Sequence, residues 1–212
     1  MKNGLIVLAA AFQVLVLAYM AGERELVLRY GLVIYLRTAP VDPRDAFRGD
    51  YVRLDYEASH IPVAACRDGL VTARQKQETF SRGRRVYAAV ELDGDLGRVQ
   101  QLSDRKPTSG LFLRGRTDYS SRQALQVRYG IEAYFVEQHQ GLVIERGRND
   151  GDVQVPLEME VAVVRNGLAA LKGHRWSRLG IGLTLDTTTN RQVRAATVRI
   201  KNVSTSEFAV ID

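Results

Sequence analysis

The chain has 212 residues, of which 45% are hydrophobic and 25% charged, so it can build one sizeable core and lacks the composition of a disordered protein. Its 30 basic and 24 acidic residues give a formal net charge of +6. The arginines are spread along the chain among Asp and Glu, which fits solvated strand faces better than the basic stripe of a nucleic-acid-binding protein. The single cysteine, Cys66, excludes an intramolecular disulfide and is expected to be a partly buried thiol.

An apolar run opens the chain, from Gly4 to Ala21, with Gln13 and Tyr19 as its only polar interruptions. A helix of this length just spans the hydrocarbon core of a bilayer, so residues 4–21 are predicted to anchor the chain in the lipid bilayer. Lys2 and the amino terminus precede the run, which predicts a cytoplasmic N-terminus and an extracytoplasmic, periplasmic remainder on a single-pass inner-membrane protein. A signal peptide cleaved near Val16-Leu17-Ala18 is the alternative.

The segment after the span, Gly22 to Gly31, is predicted to continue the helix into water, with Gly31 as its C-cap. A strand from Leu26 to Tyr30 is the alternative for its second half. The next six residues, Leu32 to Arg37, are rich in β-branched and aromatic side chains and predict the first strand.

The densest concentration of charged and backbone-restricting residues lies between Pro40 and Glu57. Asp42, Pro43 and Asp45 have the spacing of an N-cap, a first-turn proline and a first-turn acid, which predicts one helical turn. Gly49-Asp50 then predicts a chain reversal.

From Tyr51 onward the residues alternate, which predicts a strand with two different faces. Val52, Leu54 and Tyr56 share the core face. The opposite face carries Tyr51, Arg53, Asp55 and Glu57.

The rest of the chain predicts strands at close spacing. Hairpin turns are expected at Asp93-Gly94 and, as type I′, at Asn166-Gly167. Ile61-Pro62-Val63 is predicted to be a turn, Gly69 to Phe80 a short polar helix or a mobile excursion, and Glu137 to Glu145 a short helix. Strands are expected at Val86–Leu92, Leu96–Leu102, Leu111–Thr117, Ala124–Tyr129, Leu157–Val164, Leu168–Lys172, Ile181–Leu185, Val193–Val203 and Phe208–Ile211. This pattern predicts a mainly β fold, an antiparallel sandwich or a partly open barrel with one or two short helices, after an N-terminal transmembrane helix.

No catalytic, metal-binding or cofactor-binding constellation is predicted. Clustered carboxylates such as Asp42, Asp45 and Asp50 could serve calcium binding or acid–base chemistry, but arginines interleave with them and predict internal ion pairs. The three histidines are far apart and lack a metal-ligand spacing, so they are expected at the surface or in structural hydrogen bonds. They are His60, His139 and His174.

Residues 40–57 resemble the GDYXXLXY family, whose pattern stands here as Gly49-Asp50-Tyr51, Leu54 and Tyr56. A second block agrees, in Tyr129-Gly130-Ile131-Glu132 and Tyr134-Phe135-Val136-Glu137. A third, from Ala162 to Gly173, agrees less closely. Gln138 departs from the glycine-containing turn that is usual, and the extension from Trp176 to Asp212 is not associated with the family.

The resemblance implies a bacterial membrane-anchored protein, often encoded beside, or fused to, an uncharacterised polytopic membrane protein. We therefore expect a non-enzymatic binding or assembly subunit of an envelope membrane complex, with a polytopic membrane protein as its partner and no known small-molecule ligand. Three domains are predicted: an anchor helix (residues 1–30), a β-rich domain (31–175) and a C-terminal β extension packing on it (176–212). The predicted binding or structural residues are Asp42, Arg44, Asp45, Arg48, Gly49, Asp50, Tyr51, Arg53, Asp55 and Tyr56.

A degenerate or atypical signal-peptidase-like hydrolase is the alternative function, because that pattern also joins an anchor to a β domain through a Gly-Asp turn. The nucleophilic serine of the pattern would precede the turn by about eight residues, where this chain has Val41. The next lysine after the motif is Lys76, so the serine–lysine arrangement is missing.

Overall fold

The computed structural model describes residues 2–41, 51–71, 82–120, 123–136, 148–150, 153–187, 193–202 and 207–211. It consists mainly of strands in a curled half-barrel sheet, preceded by an apolar helix. The mainly β class is therefore confirmed, in the form of the partly open barrel.

The helix α1 spans Lys2–Tyr30, and two short 3-10 turns cover Glu57–Ser59 and Val63–Ala65. The strands are β1 (Leu32–Val41), β2 (Tyr51–Tyr56), β3 (His60–Pro62), β4 (Arg85–Asp93), β5 (Leu96–Ser103), β6 (Leu111–Ser120), β7 (Ala124–Arg128), β8 (Ala133–Phe135), β9 (Arg148–Asp150), β10 (Val153–Val155), β11 (Leu157–Val163), β12 (Ala169–Trp176), β13 (Leu179–Thr187), β14 (Val193–Asn202) and β15 (Glu207–Ile211).

Two sheets contain these strands. The half-barrel has the order β12-β11-β1-β5-β4-β6-β7-β3, and β2 joins it by pairing with β1 on one side and β8 on the other. Its pairings are antiparallel except that β1 meets β5 in parallel at Tyr35 and Leu96. The second sheet has the order β15-β14-β13-β10-β9 and is antiparallel throughout. The domain boundaries predicted at residues 30 and 175 remain predictions.

The core of the half-barrel comes from the alternating inward residues of its strands. Burying such side chains is the main favourable contribution to folding, at about 25 cal/mol per Å² of apolar surface. The largest fully buried side chains include Tyr56, Ile34, Leu36, Leu102, Leu113 and Met159. Cys66 belongs to this core and is buried.

One helix, Ile6–Tyr30, is long and apolar enough to cross a membrane, and none of its most apolar stretch is buried inside the protein. The alternative of a strand at Leu26–Tyr30 is wrong, because α1 continues to Tyr30. Its polar C-terminal part provides the predicted extension beyond the apolar run.

The junction between α1 and β1 is a single residue, Gly31. Its N–H donates to the Val27 carbonyl (2.9 Å), as expected of a residue that caps the helix. A Cβ on Gly31 would lie 2.5 Å from that carbonyl oxygen and 2.9 Å from the Val163 backbone nitrogen, so only glycine fits. Val27 is buried against Ala162 and Ala170 of the sheet. The last turn of the helix is thus packed on the half-barrel.

The predicted type I′ turn at Asn166-Gly167 is wrong, because that turn needs a positive φ at both central residues. Gly167 has φ +80°, but Asn166 does not have a positive φ. The loop is instead three residues long, Arg165 to Gly167, and closes through hydrogen bonds from Gly167 N to Val164 O (2.8 Å) and from Val164 N to Leu168 O (3.1 Å). The other predicted hairpin, between β4 and β5, is present with Gly94 at φ +65°.

The turn predicted at Ile61-Pro62-Val63 is also wrong in part, since His60–Pro62 forms the edge strand β3 against β7. Pro62 is tolerated there because an edge strand has one side without a hydrogen-bonded partner. Residues 69–71 are helical, and the rest of the excursion predicted up to Phe80 lies outside the described residues. The helix predicted at Glu137 to Glu145 lies outside them as well.

Candidate functional site

The motif strand β2 lies between β1 and β8. Its inward residues are Val52, Leu54 and Tyr56, all buried in the core, as the alternation predicts. Thr38 of β1 pairs with Tyr56, and its hydroxyl donates to the Asp55 carbonyl (2.8 Å). The inward residues of the motif strand therefore have a structural role in the core.

Reciprocal hydrogen bonds connect the motif to the second block of the resemblance. The Tyr56 hydroxyl donates to the Ile131 carbonyl (2.8 Å), and the Leu54 N–H donates to the Glu132 carbonyl (2.9 Å). In the other direction, the Tyr129 hydroxyl donates to the Ala58 carbonyl (2.7 Å). Each bond satisfies a backbone group that would otherwise lose its partner on burial.

Burial raises the pKa of both phenols, Tyr56 and Tyr129, well above their ordinary value, and the nearby Glu132 carboxylate raises the pKa of each further. Both hydroxyls are therefore neutral donors at physiological pH. A phenol held in this state suits a structural hydrogen bond rather than acid–base catalysis.

Glu132 organises the turn that follows β7. Its carboxylate accepts the N–H groups of Tyr129 and Gly130, and Gly130 has φ +84°. A side chain at Gly130 would be strained at this φ. The turn places the Glu132 backbone against Leu54 and leaves its carboxylate at the edge of an open groove.

The outward face of β2 lines that groove, which has a volume of about 710 Å³. Arg53 is exposed, and Asp55 is half-buried with its Oδ1 3.6 Å from His60 Nδ1. Asp118 of β6, Arg128 of β7 and Glu132 also line the groove. Charges of both signs therefore line the groove, which can recognise a polar partner.

A second cavity of about 380 Å³ adjoins the groove and shares Asp118, Arg128, Gly130 and Glu132 with it. The shared residues come from β6, β7 and the turn after it. The motif face and this second cavity thus form one continuous surface.

Three of the predicted site residues can be located with their side chains: Arg53, Asp55 and Tyr56. The first two lie together in the groove, whereas Tyr56 points into the core. For Tyr51 only the backbone is described, paired with Phe135 of β8. The remaining predicted residues lie outside the described part of the chain; they are Asp42, Arg44, Asp45, Arg48, Gly49 and Asp50.

Sequence reasoning missed two residues of the groove, Asp118 and Arg128. Both stand on outward positions of alternating strands, which is the signal that could have placed them on a common face. Their proximity to β2 depends on the strand order, which alternation does not encode.

Within the described ranges, no group of three or more His, Cys, Asp or Glu is placed to hold a metal ion. Two of the histidines have polar neighbours of their own. His60 Nδ1 is 3.2 Å from the Tyr56 carbonyl, and His174 Nδ1 is 3.2 Å from the Tyr134 hydroxyl. The third histidine, His139, falls outside the described residues.

No curated protein and no solved structure matches this chain. The family model described as GDYXXLXY protein matches residues 13–173, which is most of the chain and includes the part of α1 from residue 13 onward, the motif strand, the groove and β11. The hydrogen bonds of Tyr56 and Leu54 join the first two of the three blocks that resemble this family. This chain therefore belongs to the GDYXXLXY family.

Proposed function

We propose that this protein is a single-pass, membrane-anchored binding subunit of an envelope membrane complex, with its β domain outside the cytoplasm and a polytopic membrane protein as its partner. The observation that carries the proposal is the one-residue junction at Gly31. Because Val27 packs on the sheet and Gly31 admits no side chain, the half-barrel is held directly at the end of its anchor. Such a domain meets other membrane proteins at a fixed height above the bilayer.

Apolar surface at this junction supports a partner within the membrane. Tyr30 and Leu32 are largely exposed, and they line a cavity of about 600 Å³ together with Leu111, Phe112 and Val163. Exposed apolar patches of this kind mark sites of protein or membrane contact. The patch continues from the exposed surface of α1.

The groove at the motif supports binding rather than catalysis. Leu54 and Tyr56 are engaged in the core, and the side chains that remain available, Arg53 and Asp55, carry opposite charges. Complementary charges across an interface favour specificity and rapid association. The orientation part of the proposal rests on Lys2, which immediately precedes the apolar run.

The test compares two variants in which one basic and one acidic side chain are neutralised. Arg53→Gln/Asp55→Asn removes the charges of the motif face. Arg98→Gln/Asp93→Asn removes an exposed ion pair (3.0 Å) on the β4–β5 hairpin and is the matched control. We expect an integral membrane protein to co-purify from native membranes with the wild type and the control, and to be lost from the motif variant.

Loss of the same protein from both variants would show that the motif face is not the contact. Purified wild type that hydrolyses peptides or lipids, with the activity lost in Arg53→Gln/Asp55→Asn, would overturn the proposal in favour of the hydrolase.

A further inference from the structure

We propose that the second cavity is a binding site for an anion carrying a phosphate group with two or more negative charges. Five arginines line it, against the two carboxylates of Asp118 and Glu132. We call it the arginine cleft; its arginines are Arg82, Arg85, Arg114, Arg116 and Arg128. The site goes beyond the proposed function, because its ligand is a small anionic group and not the membrane partner.

Strand register places three of these arginines side by side. Arg85 of β4 is directly opposite Arg116 of β6, and Arg116 is directly opposite Arg128 of β7. Cβ atoms of opposite residues are about 5 Å apart, and like charges at that spacing destabilise a sheet. Arg114 stands two residues before Arg116 and therefore points to the same side. The fold thus holds four positive charges close together, and their mutual repulsion lowers the stability of the sheet.

Neighbouring acids offset only part of this charge. Arg82 Nε is 2.6 Å from Asp118 Oδ1, and Arg116 donates to the Gly83 carbonyl (2.9 Å). The Glu132 carboxylate is occupied by the N–H groups of Tyr129 and Gly130.

The other three arginines of the cleft, Arg85, Arg114 and Arg128, form no ion pair with any residue that the structure describes. Arginines elsewhere in the half-barrel do have acidic partners: Arg84 pairs with Asp104, Arg98 with Asp93 and Arg175 with Asp95. The cleft therefore brings together, around one cavity, guanidinium groups whose charge no ion pair neutralises.

The chemistry of the cleft selects the ligand. A guanidinium group presents planar, paired N–H donors that match the oxygens of a phosphate, and several such groups suit a multiply charged one. The volume of about 380 Å³ lies in the range of small-ligand pockets. Gly83 and Gly130 leave open space at the wall, since nothing would lie within 4 Å of a Cβ at either position. A soluble phosphate monoester and the monoester headgroup of phosphatidic acid offer the same chemistry.

The first experiment titrates inorganic pyrophosphate into the full chain, held in phosphatidylcholine nanodiscs at low ionic strength. We expect saturable binding by calorimetry and a rise in the unfolding temperature. Arg85→Gln/Arg128→Gln should weaken binding about tenfold or more, since each arginine contributes charge-assisted hydrogen bonds. Arg98→Gln/Arg178→Gln removes the same charge outside the cleft and should bind as the wild type does.

A charge-conserving variant keeps the test independent of folding. Arg85→Lys/Arg128→Lys retains the charge but loses the paired donors, so its affinity should lie between those of the wild type and the glutamine variant. If the cleft and control variants weakened pyrophosphate binding equally, binding would depend only on the net charge of the protein. That result would overturn the proposal.

The second experiment distinguishes the source of the phosphate. In nanodiscs that contain phosphatidic acid, a lipid headgroup in the cleft would weaken pyrophosphate binding by competition and stabilise the wild type over Arg85→Gln/Arg128→Gln. A soluble ligand would leave pyrophosphate binding the same in both kinds of nanodisc. The proposal would be overturned if the protein showed no pyrophosphate binding in phosphatidylcholine nanodiscs and also no lipid-dependent stabilisation. Neither readout involves the membrane partner, so this site and the proposed function can fail separately.

Discussion

Tyr56 shows how a residue of the family motif acts through the fold. Its ring is fully buried, and its hydroxyl reaches the Ile131 carbonyl, 75 residues later in the chain. Since burial raises the pKa of the phenol, the hydroxyl stays protonated and remains a donor over the physiological range. The motif position is thus explained by the carbonyl that it satisfies.

Tyr56→Phe should therefore lower the free energy of unfolding by about 1–3 kcal/mol, the cost of leaving a buried carbonyl without its donor. Tyr119→Phe is the matched control, because Tyr119 is exposed and the same oxygen is lost to solvent. Denaturant unfolding of the full chain in detergent measures both. Equal effects in the two variants would contradict the structural role of Tyr56.

Arg175 joins three parts of the half-barrel. It donates to both Asp95 oxygens (2.7 and 2.9 Å) and to Glu158 (2.8 Å), and its guanidinium carbon lies 3.4 Å from the centroid of the Tyr35 ring. The hydrogen bonds from Arg175 hold the pKa of the Asp95 carboxyl below its ordinary value of 3.8. The stabilisation from this pair is consequently present above pH 3.8 and is lost as the pH falls towards the lower pKa of the folded state.

Asp95→Asn should lower the stability near neutral pH by about 1 kcal/mol or less, because Asp95 is exposed to solvent. The difference from the wild type should disappear as the pH falls below 3.8. Unfolding curves for both proteins across this range provide the measurement. A difference that persists undiminished in acid would show that the Asp95 charge is not responsible.

For single residues, the sequence predicts which face of a strand a side chain occupies but not which groups it contacts. Alternation places Val52, Leu54 and Tyr56 on the core side correctly, because the pleat alone determines it. The partner carbonyl of Tyr56 and the presence of Arg128 in the same groove as β2 depend on contacts between strands distant in sequence.

Among the elements, the junction of α1 and β1 is the most constrained. Gly31→Ala should destabilise it by about 1–3 kcal/mol, since the added Cβ would meet backbone atoms of Val27 and Val163 that cannot move aside separately. Gly22→Ala is the control in the same helix, where nothing lies within 4 Å and alanine favours the helix.

Protease sensitivity around residue 31 and the unfolding temperature both report on this junction. We expect cleavage and a lower unfolding temperature for Gly31→Ala, and neither for Gly22→Ala. An unchanged Gly31→Ala variant would show that the helix and the sheet are not rigidly coupled.

Element positions were largely predictable because the strands alternate clearly. The exceptions have local physical causes. Asn166-Gly167 has the composition of a two-residue turn, but the register of β11 and β12 needs a third residue. Pro62 predicts a break, yet the sheet edge tolerates it. The parallel contact between β1 and β5 has no signal in either strand.

At the scale of the whole molecule, the strand order assembles the arginine cleft, which no single segment of the chain contains. The three arginines opposite one another on β4, β6 and β7 come from separate parts of the chain, and only the sheet brings them into one row. The dispersed arginines of the sequence suggested a solvated surface. Register shows that part of this surface is a concentrated positive cleft.

The orientation of the whole molecule in the membrane can be tested with reporter fusions. Alkaline phosphatase fused after Asp212 should be active, because its disulfides form only outside the cytoplasm. β-Galactosidase fused at the same position should be inactive and serves as the reciprocal control. Lys2→Glu/Glu23→Lys/Glu25→Lys reverses the charge bias across the apolar run and should lower the phosphatase activity. An inactive phosphatase with an active β-galactosidase in the wild type would place the β domain in the cytoplasm and contradict the proposed orientation.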